Sequence, residues 1–320
     1  MNISEIYEKG EAVLREKDYW ILMEGVETGF VLENNRRIFQ QYVFRQQCID
    51  AKEATTECSV LGVNLSAPII MSALTMPIPA IRKDGLMEVA QGLKEAGSLM
   101  WTGTPIPKDL KAIAQTGVPL ASTVKPFKDR KIVYQALDEI QEAGVNWAGI
   151  EIDVGWGTKI RDQAMVSDCE PLSFKELQEI RKRVSIPFIM KGVLSREDAI
   201  RAGDAGADGI VVSNHGAHTL DYLPHPLQVM DEIMEAVKGK IVVIADGGFR
   251  RGSDVLKGLA FGASLIGLGR PILYALAADG KEGVRDLVLQ MTAELKRIMG
   301  MVNTPDLNSV NRRVLIEINK

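Results

Sequence analysis

The chain has 320 residues, 46% of them apolar and 25% charged, with 38 Lys plus Arg against 42 Asp plus Glu for a formal net charge of −4. This is ordinary globular composition, enough for one large α/β barrel or two smaller domains. It excludes the basic stripe of a general nucleic-acid surface, and no apolar run approaches the roughly 18 residues of a membrane span.

Along the chain, the opening MNISEIYEKG alternates polar and apolar residues and lacks a signal-peptide core. A helix is expected around Ile3–Lys17, within an N-terminal extension of residues 1–62 that covers one end of the domain formed by the remaining residues. Cys48, Cys58 and Cys169 are odd in number and lack ligand spacing, which points to a reducing cytoplasm and no metal site.

From about residue 63, short Ile- and Val-rich runs alternate with stretches of helical period. Strands are expected near Pro68–Ser72, Ser98–Thr102, Pro119–Thr123, Trp147–Asp153, Pro187–Lys191, Gly209–Ser213, Ile241–Asp246 and Ser264–Gly267. Helices fall between them near Leu86–Glu95, Lys108–Gln115, Arg130–Ala143, Ser173–Val184, Arg196–Ala205, Pro226–Val237 and Arg251–Phe261, and a long closing helix starts near Ile272. Strands apolar on both faces belong to a parallel sheet covered by helices. Eight such repeats predict a TIM (β/α)8 barrel over 63–320, with no linker to split it.

In that fold the active site lies where strands end and βα-loops begin. Those positions carry Lys125, Glu151, Asp153, Lys191, Ser213-Asn214-His215, Asp246-Gly247-Gly248 and Gly269-Arg270. The segments IADGGFRRGSD and GLGRP place glycines, Arg250 and Arg270 at helix starts after strands seven and eight. Backbone N–H groups there can approach an anion closely, which predicts a phosphate cradle. His215 can serve as a general base, with the Asp153 carboxylate orienting it. A lysine at the end of a buried strand, as Lys191 is, calls for an anionic partner such as a cofactor. His225, between Pro224 and Pro226, reads as a loop residue.

The segments IMKGVLSREDA, GADGIVVSNHGAHTLD, IADGGFRRGSDVLKGLAFGAS and GLGRPILYALAADGKEGV resemble the FMN-dependent 2-hydroxy-acid oxidase and dehydrogenase family, of the glycolate oxidase, lactate oxidase and flavocytochrome b2 type. The resemblance runs from LGVNLSAPI through the closing helix. It implies a barrel with FMN on its C-terminal face, and a chain that assembles as a homo-oligomer, often a tetramer. Lys191 would contact the flavin's N1–O2 edge, with Ser213 beside the ring, while Asp246, Gly247, Gly248, Arg250, Gly269 and Arg270 would hold the phosphate end. Ser72, Ala73, Thr123 and Glu151 align with further cofactor positions. His215 would remove the substrate proton while hydride or its equivalent reaches flavin N5, and Asp153 would stabilise the imidazolium.

The substrate half departs from the family pattern. His218 stands where the family has an arginine in SNHGxRxLD, and Ile160 aligns with the second carboxylate-binding arginine, flanked by Lys159 and Arg161. Thr123 and Lys125 replace a QxY pair, Ile21 replaces a tyrosine, and Glu151 replaces a small hydroxyl residue. The segment between Asp162 and Ser173 is shorter than the family's mobile loop. Lys125, His218 and Arg161 are therefore the candidates for binding a small anionic substrate. Lysine and histidine lack arginine's planar fork, so the family's substrate does not carry over. Three readings are open: oxidation of a hydroxyl-bearing carbon with His215 as base; FMN-dependent isomerisation or oxidation of a phosphorylated or bulkier substrate, as in type 2 isopentenyl diphosphate isomerase; or flavin binding without hydroxy-acid activity.

Overall fold

The computed structural model describes residues 1–318. Eight strands lie at its centre: Ile69–Met71, Met100–Thr102, Leu120–Val124, Trp147–Glu151, Phe188–Val193, Gly209–Val212, Val242–Asp246 and Leu265–Leu268. Strands two to eight pair in parallel with their chain neighbours, and strand eight pairs with strand one. The remaining seam closes through Met71 N to Leu99 O at 3.0 Å and Leu74 N to Trp101 O at 3.1 Å. The expected TIM barrel is the observed fold. Its last helix, Arg270–Met301, starts two residues earlier than expected and is broken at Asp279 and Gly280, where Gly280 adopts φ +56°.

Strand side chains alternate with period two, and here they separate into two apolar sets. Ile70, Trp101, Ala121, Trp147, Ile189, Val211, Ile244 and Leu265 pack together inside the barrel. Their neighbours, such as Ile69, Met100, Ala148, Met190, Ile210 and Ala245, join the core between strands and helices. That is why the strands read as continuous apolar runs.

The first helix, Ile3–Glu16, is capped reciprocally by Asn2 and Glu5 and packs against the closing helix. Sequence patterning missed a second helix, Phe30–Arg37, which Asp221 pins to the barrel by accepting from the N–H groups of Thr28 (3.0 Å) and Val31 (3.2 Å). The hairpin Cys58–Val60/Val63–Leu65 plugs the opposite end, where Trp147 Nε1 donates to Leu61 O at 3.1 Å. The segment expected to cover one end thus reaches both. A further difference lies after strand four: that strand stops at Glu151, Asp153 sits in the 3-10 turn Ile152–Val154, and Thr158–Ile160 and Gln163–Val166 form a hairpin where a loop was expected.

Candidate active site

The same period of two that fills the barrel carries polar residues to its top. Two positions beyond the inward Ile70, Ile189, Val211, Ile244 and Leu265 come Ser72, Lys191, Ser213, Asp246 and Gly267; Thr123 and Lys125 follow Ala121, and Glu151 ends the run from Trp147. A large cleft opens over this layer, lined by Ser72, Ala73, Lys125, Glu151, Lys191 and Asp246 among others.

At one end of the cleft stands His215. Its backbone is left-handed (φ +54°), its N–H donates to Ser213 Oγ at 3.0 Å, and its side chain is 14% exposed. Nδ1 lies 2.9 Å from Asp153 Oδ2 and 3.3 Å from Lys191 Nζ; Nε2 lies 3.7 Å from Glu151 Oε2. Asp153 fits beside strand five only because Gly192 follows Lys191: a Cβ on Gly192 would meet Asp153 Cγ at 2.2 Å, and φ there is +97°. The pairing expected between His215 and Asp153 is therefore built by the fold.

Lys191 is 3% exposed. Burial opposes its charge, but Asp153, Asp246 and Glu151 together more than offset this and raise its pKa. Burial likewise opposes the Glu151 and Asp153 carboxylates. Lys125, Lys191 and His215 outweigh it for Glu151, and His215 and Lys191 do so for Asp153, so both stay below the ordinary carboxylate range. Lys125 Nζ pairs with Glu151 Oε2 at 3.3 Å, and Thr123 donates to Oε1 at 3.0 Å. Thr123 and Ser213 thus act beneath the cleft, holding Glu151 and His215.

The other end is cationic. Gly247 and Gly248 turn with φ +105° and +79°; a Cβ on Gly248 would lie 2.1 Å from Asn35 O. The helix beginning at Arg270, with Gly269 as its cap, starts at the same end of the cleft. Arg250 lines it, and among the described residues its guanidinium has no hydrogen-bond or ion-pair partner; only its backbone is engaged, with Tyr7 and Asp254. Arg36 joins it, bonded to Gly248 O and paired with Asp254 at 2.8 Å. Arg270 is half-buried, and desolvation of its guanidinium lowers its pKa to about 10; its Nη2 donates to Gly216 O at 2.9 Å and Glu24 O at 3.0 Å. Ser72 Oγ, Asp246 Oδ1 and Arg270 Nε, all on cleft residues, are buried without a partner among the described residues. A buried polar atom is costly to leave unmet. These three, with a cationic glycine cradle, fit a ligand that carries a phosphate and a hydrogen-bonding body.

Three expectations need correction. His218 lines the cleft but is no substitute cation: burial, then Arg270 and His215, push its pKa down to about 3, and its Nε2 meets Glu24 O at 3.0 Å. Arg161 lies outside the cleft, with a side chain 65% exposed and paired with Glu24. His225 is a buried helix cap rather than a loop residue: Nδ1 accepts from Leu227 N at 3.0 Å, and Nε2 lies 2.8 Å from Gly247 O, fixing the glycine turn. Burial also lowers its pKa to about 3. Of the two cations flanking Ile160, Lys159 rather than Arg161 lines the cleft; sequence reading missed Asn35 and Arg36, which line it too. Asn35 exchanges amide bonds of 3.1 and 2.7 Å with Asn214, and Asp254, in the first turn of the helix after strand seven, was the available signal for Arg36.

Comparison with known proteins agrees with this geometry. The sequence profile of the family described as FMN-dependent dehydrogenase matches residues 11–169 and 157–317. Glycolate oxidase 3 of Arabidopsis thaliana is 31% identical over 355 residues, covering 98% of this chain and 95% of the relative. A peroxisomal (S)-2-hydroxyacid oxidase of the same plant is 30% identical with the same coverage. Among solved structures, a mandelate oxidase variant with (S)-mandelic acid superposes with a TM-score of 0.90 at 29% identity, covering 98% of this chain and 97% of that one. Nearly the whole chain is matched by sequence and by fold, and it belongs to the FMN-dependent dehydrogenase family.

Proposed function

We propose that this protein oxidises a 2-hydroxy acid to the 2-oxo acid, with FMN as its cofactor and His215 as the base. The observation that carries the reading is the His215–Asp153 contact of 2.9 Å beside the buried Lys191, at the mouth of a cleft whose other end is a cationic glycine cradle. Flavin binding alone needs neither His215 nor Asp153, which argues against a cofactor carrier without activity. The relatives are oxidases, which favours oxidation over isomerisation.

Arg250, Gly247, Gly248, Gly269 and Arg270 would hold the phosphate of FMN. Ser72, Ala73, Lys191 and Asp246 would hold its ring system, with Thr123, Glu151 and Ser213 supporting that face. When bound, FMN supplies the acceptor for the two electrons that leave the carbinol carbon. His215 takes the proton at Nε2; Asp153 orients the ring through Nδ1 and stabilises the imidazolium. Lys125 and Lys159 are the cations available to a substrate carboxylate, as point charges rather than a fork. Leu22, Met76, Ile160, Met165 and Val166 line the cleft and favour an apolar substituent on the hydroxy acid. Dye-coupled assays on the FMN-loaded protein test this: (S)-mandelate should give a higher kcat/KM than glycolate and yield the 2-oxo acid. Oxidation of neither would sink the reading.

Arg250 provides a separable check. Its guanidinium has no protein partner among the described residues, so Arg250→Ala should leave the Tm of the apoprotein unchanged. A charge-assisted bond to phosphate contributes about 1.5–3 kcal/mol, so FMN should bind about 10- to 100-fold more weakly. Fluorescence titration of apoprotein with FMN measures this, and unaltered affinity would place the phosphate elsewhere.

A cytoplasmic setting is also part of the proposal, supported by three free cysteines. Homo-oligomeric assembly is another, supported by the exposed apolar side chains of Trp156, Leu220 and Tyr222. Among the described residues no helix is long and apolar enough to cross a membrane.

A further inference from the structure

Glu151 occupies a position where the resembling family carries a small hydroxyl residue, and it is buried at the floor of the cleft. Both of its oxygens are engaged. Oε1 accepts from Thr123 at 3.0 Å, while Oε2 lies 3.3 Å from Lys125 Nζ and 3.7 Å from His215 Nε2. Asp153 takes the opposite ring nitrogen at 2.9 Å. The imidazole therefore lies between two carboxylates, one at each nitrogen.

Because Asp153 accepts from Nδ1–H, the neutral ring turns the lone pair of Nε2 toward the anion of Glu151. An N–H at Nε2 is attracted to that carboxylate and a lone pair is not. We propose that Glu151 is a positioning residue that acts through His215, as a second carboxylate that holds the proton His215 takes up at Nε2. The charged and titratable groups facing the ring are Asp153 and Glu151 from strand four and its turn and Lys191 from strand five. Lys125 acts beyond Glu151, and His218 and Arg270 lie on the side of its own loop. The two lysines and Arg270 oppose a charged ring; the two carboxylates favour it. Glu151 is thus the group whose removal tips this balance on the side where the substrate proton arrives. The use of that proton in oxidation rests on the function proposed above, but the pairing itself does not.

The test reads the ring directly. In 15N-histidine NMR of the FMN-loaded protein, burial holds the rings of His218 and His225 neutral, with pKa values of about 3, and the signal lost in His215→Ala identifies the remaining ring, whose pH midpoint is the readout. Glu151→Gln keeps the volume and removes the charge, and should lower that midpoint by about one unit. Glu151→Thr should lower it similarly in the folded protein, at a lower Tm because Lys125 loses its buried partner. If a variant fails to load FMN, the apoprotein gives the same reading. An unmoved midpoint would overturn the proposal, and unfolding of both variants would mark Glu151 as a structural residue and overturn it equally. A lowered midpoint in a protein that oxidises no hydroxy acid would reject the proposed function and leave the pairing intact.

Discussion

Replacing His215 by alanine lowers the rate of substrate oxidation by about 10²- to 10⁴-fold while FMN stays bound. The ring is the group at the cleft mouth that combines a free face with an orienting carboxylate: its side chain is 14% exposed, and Asp153 fixes Nδ1 at 2.9 Å. None of the residues assigned to the phosphate end is held by His215, whose own contacts are Ser213, Asp153, Lys191 and Glu151. Removing it also strands no charge, because Lys191 still faces Asp153. Flavin content and anaerobic flavin reduction, measured on one preparation, separate the two effects. Undiminished turnover would remove His215 from the chemistry.

Lys191→Met should be the most damaging change to the fold among the site residues. Lys191 is the cation shared by Asp153, Asp246 and Glu151. Methionine fills a similar volume but leaves three carboxylates at the top of the barrel, with Lys125 beside Glu151 alone. Breaking a buried pair by removing one partner costs about 3–5 kcal/mol, because the uncompensated charge stays behind. The sign with pH is set by the shifts. Lys191 is raised, so its contribution is complete below the lysine's unfolded pKa and fades only as pH climbs through the folded one. Glu151 and Asp153 are lowered, so theirs is complete above the ordinary carboxylate pKa and fades as pH falls through the folded values. The wild-type cluster is thus at full strength across the neutral range. In Lys191→Met the deficit should be largest there and shrink on acidification, as the carboxylates take up protons. Urea unfolding at neutral and acidic pH measures it; a deficit that grew on acidification would contradict the assignment.

Much of this architecture is legible in the sequence because it is local. Apolar runs of strand length set the eight strands, and the residues ending them set Lys125, Glu151, Lys191 and Asp246 at the cleft floor. What escapes is what distant segments decide. His218 reads as a replacement cation, but desolvation, with Arg270 and His215 beside it, keeps its imidazole neutral while Nε2 meets the Glu24 carbonyl. Arg161 reads as a second cation, yet Glu24 takes it at the outer edge of the hairpin. Arg36 and Asn35 come from a helix whose role rests on Asp221 and Asn214, more than 170 positions away in the chain. The strand Tyr42–Phe44 is invisible because its partner is Leu315–Glu317. Asp153 reads as a strand-end residue and stands in a 3-10 turn, a shift of two residues that Gly192 makes possible.

The central claim is that the cationic cradle and the His215–Asp153 pair belong to one oxidising site. The most direct measurement is the visible spectrum of the FMN-loaded protein under anaerobic conditions, before and after addition of (S)-mandelate. Bleaching of the oxidised flavin band in wild type, and its persistence in the flavin-loaded His215→Ala protein, is the predicted result. A band that bleaches equally in both, or in neither, would contradict it.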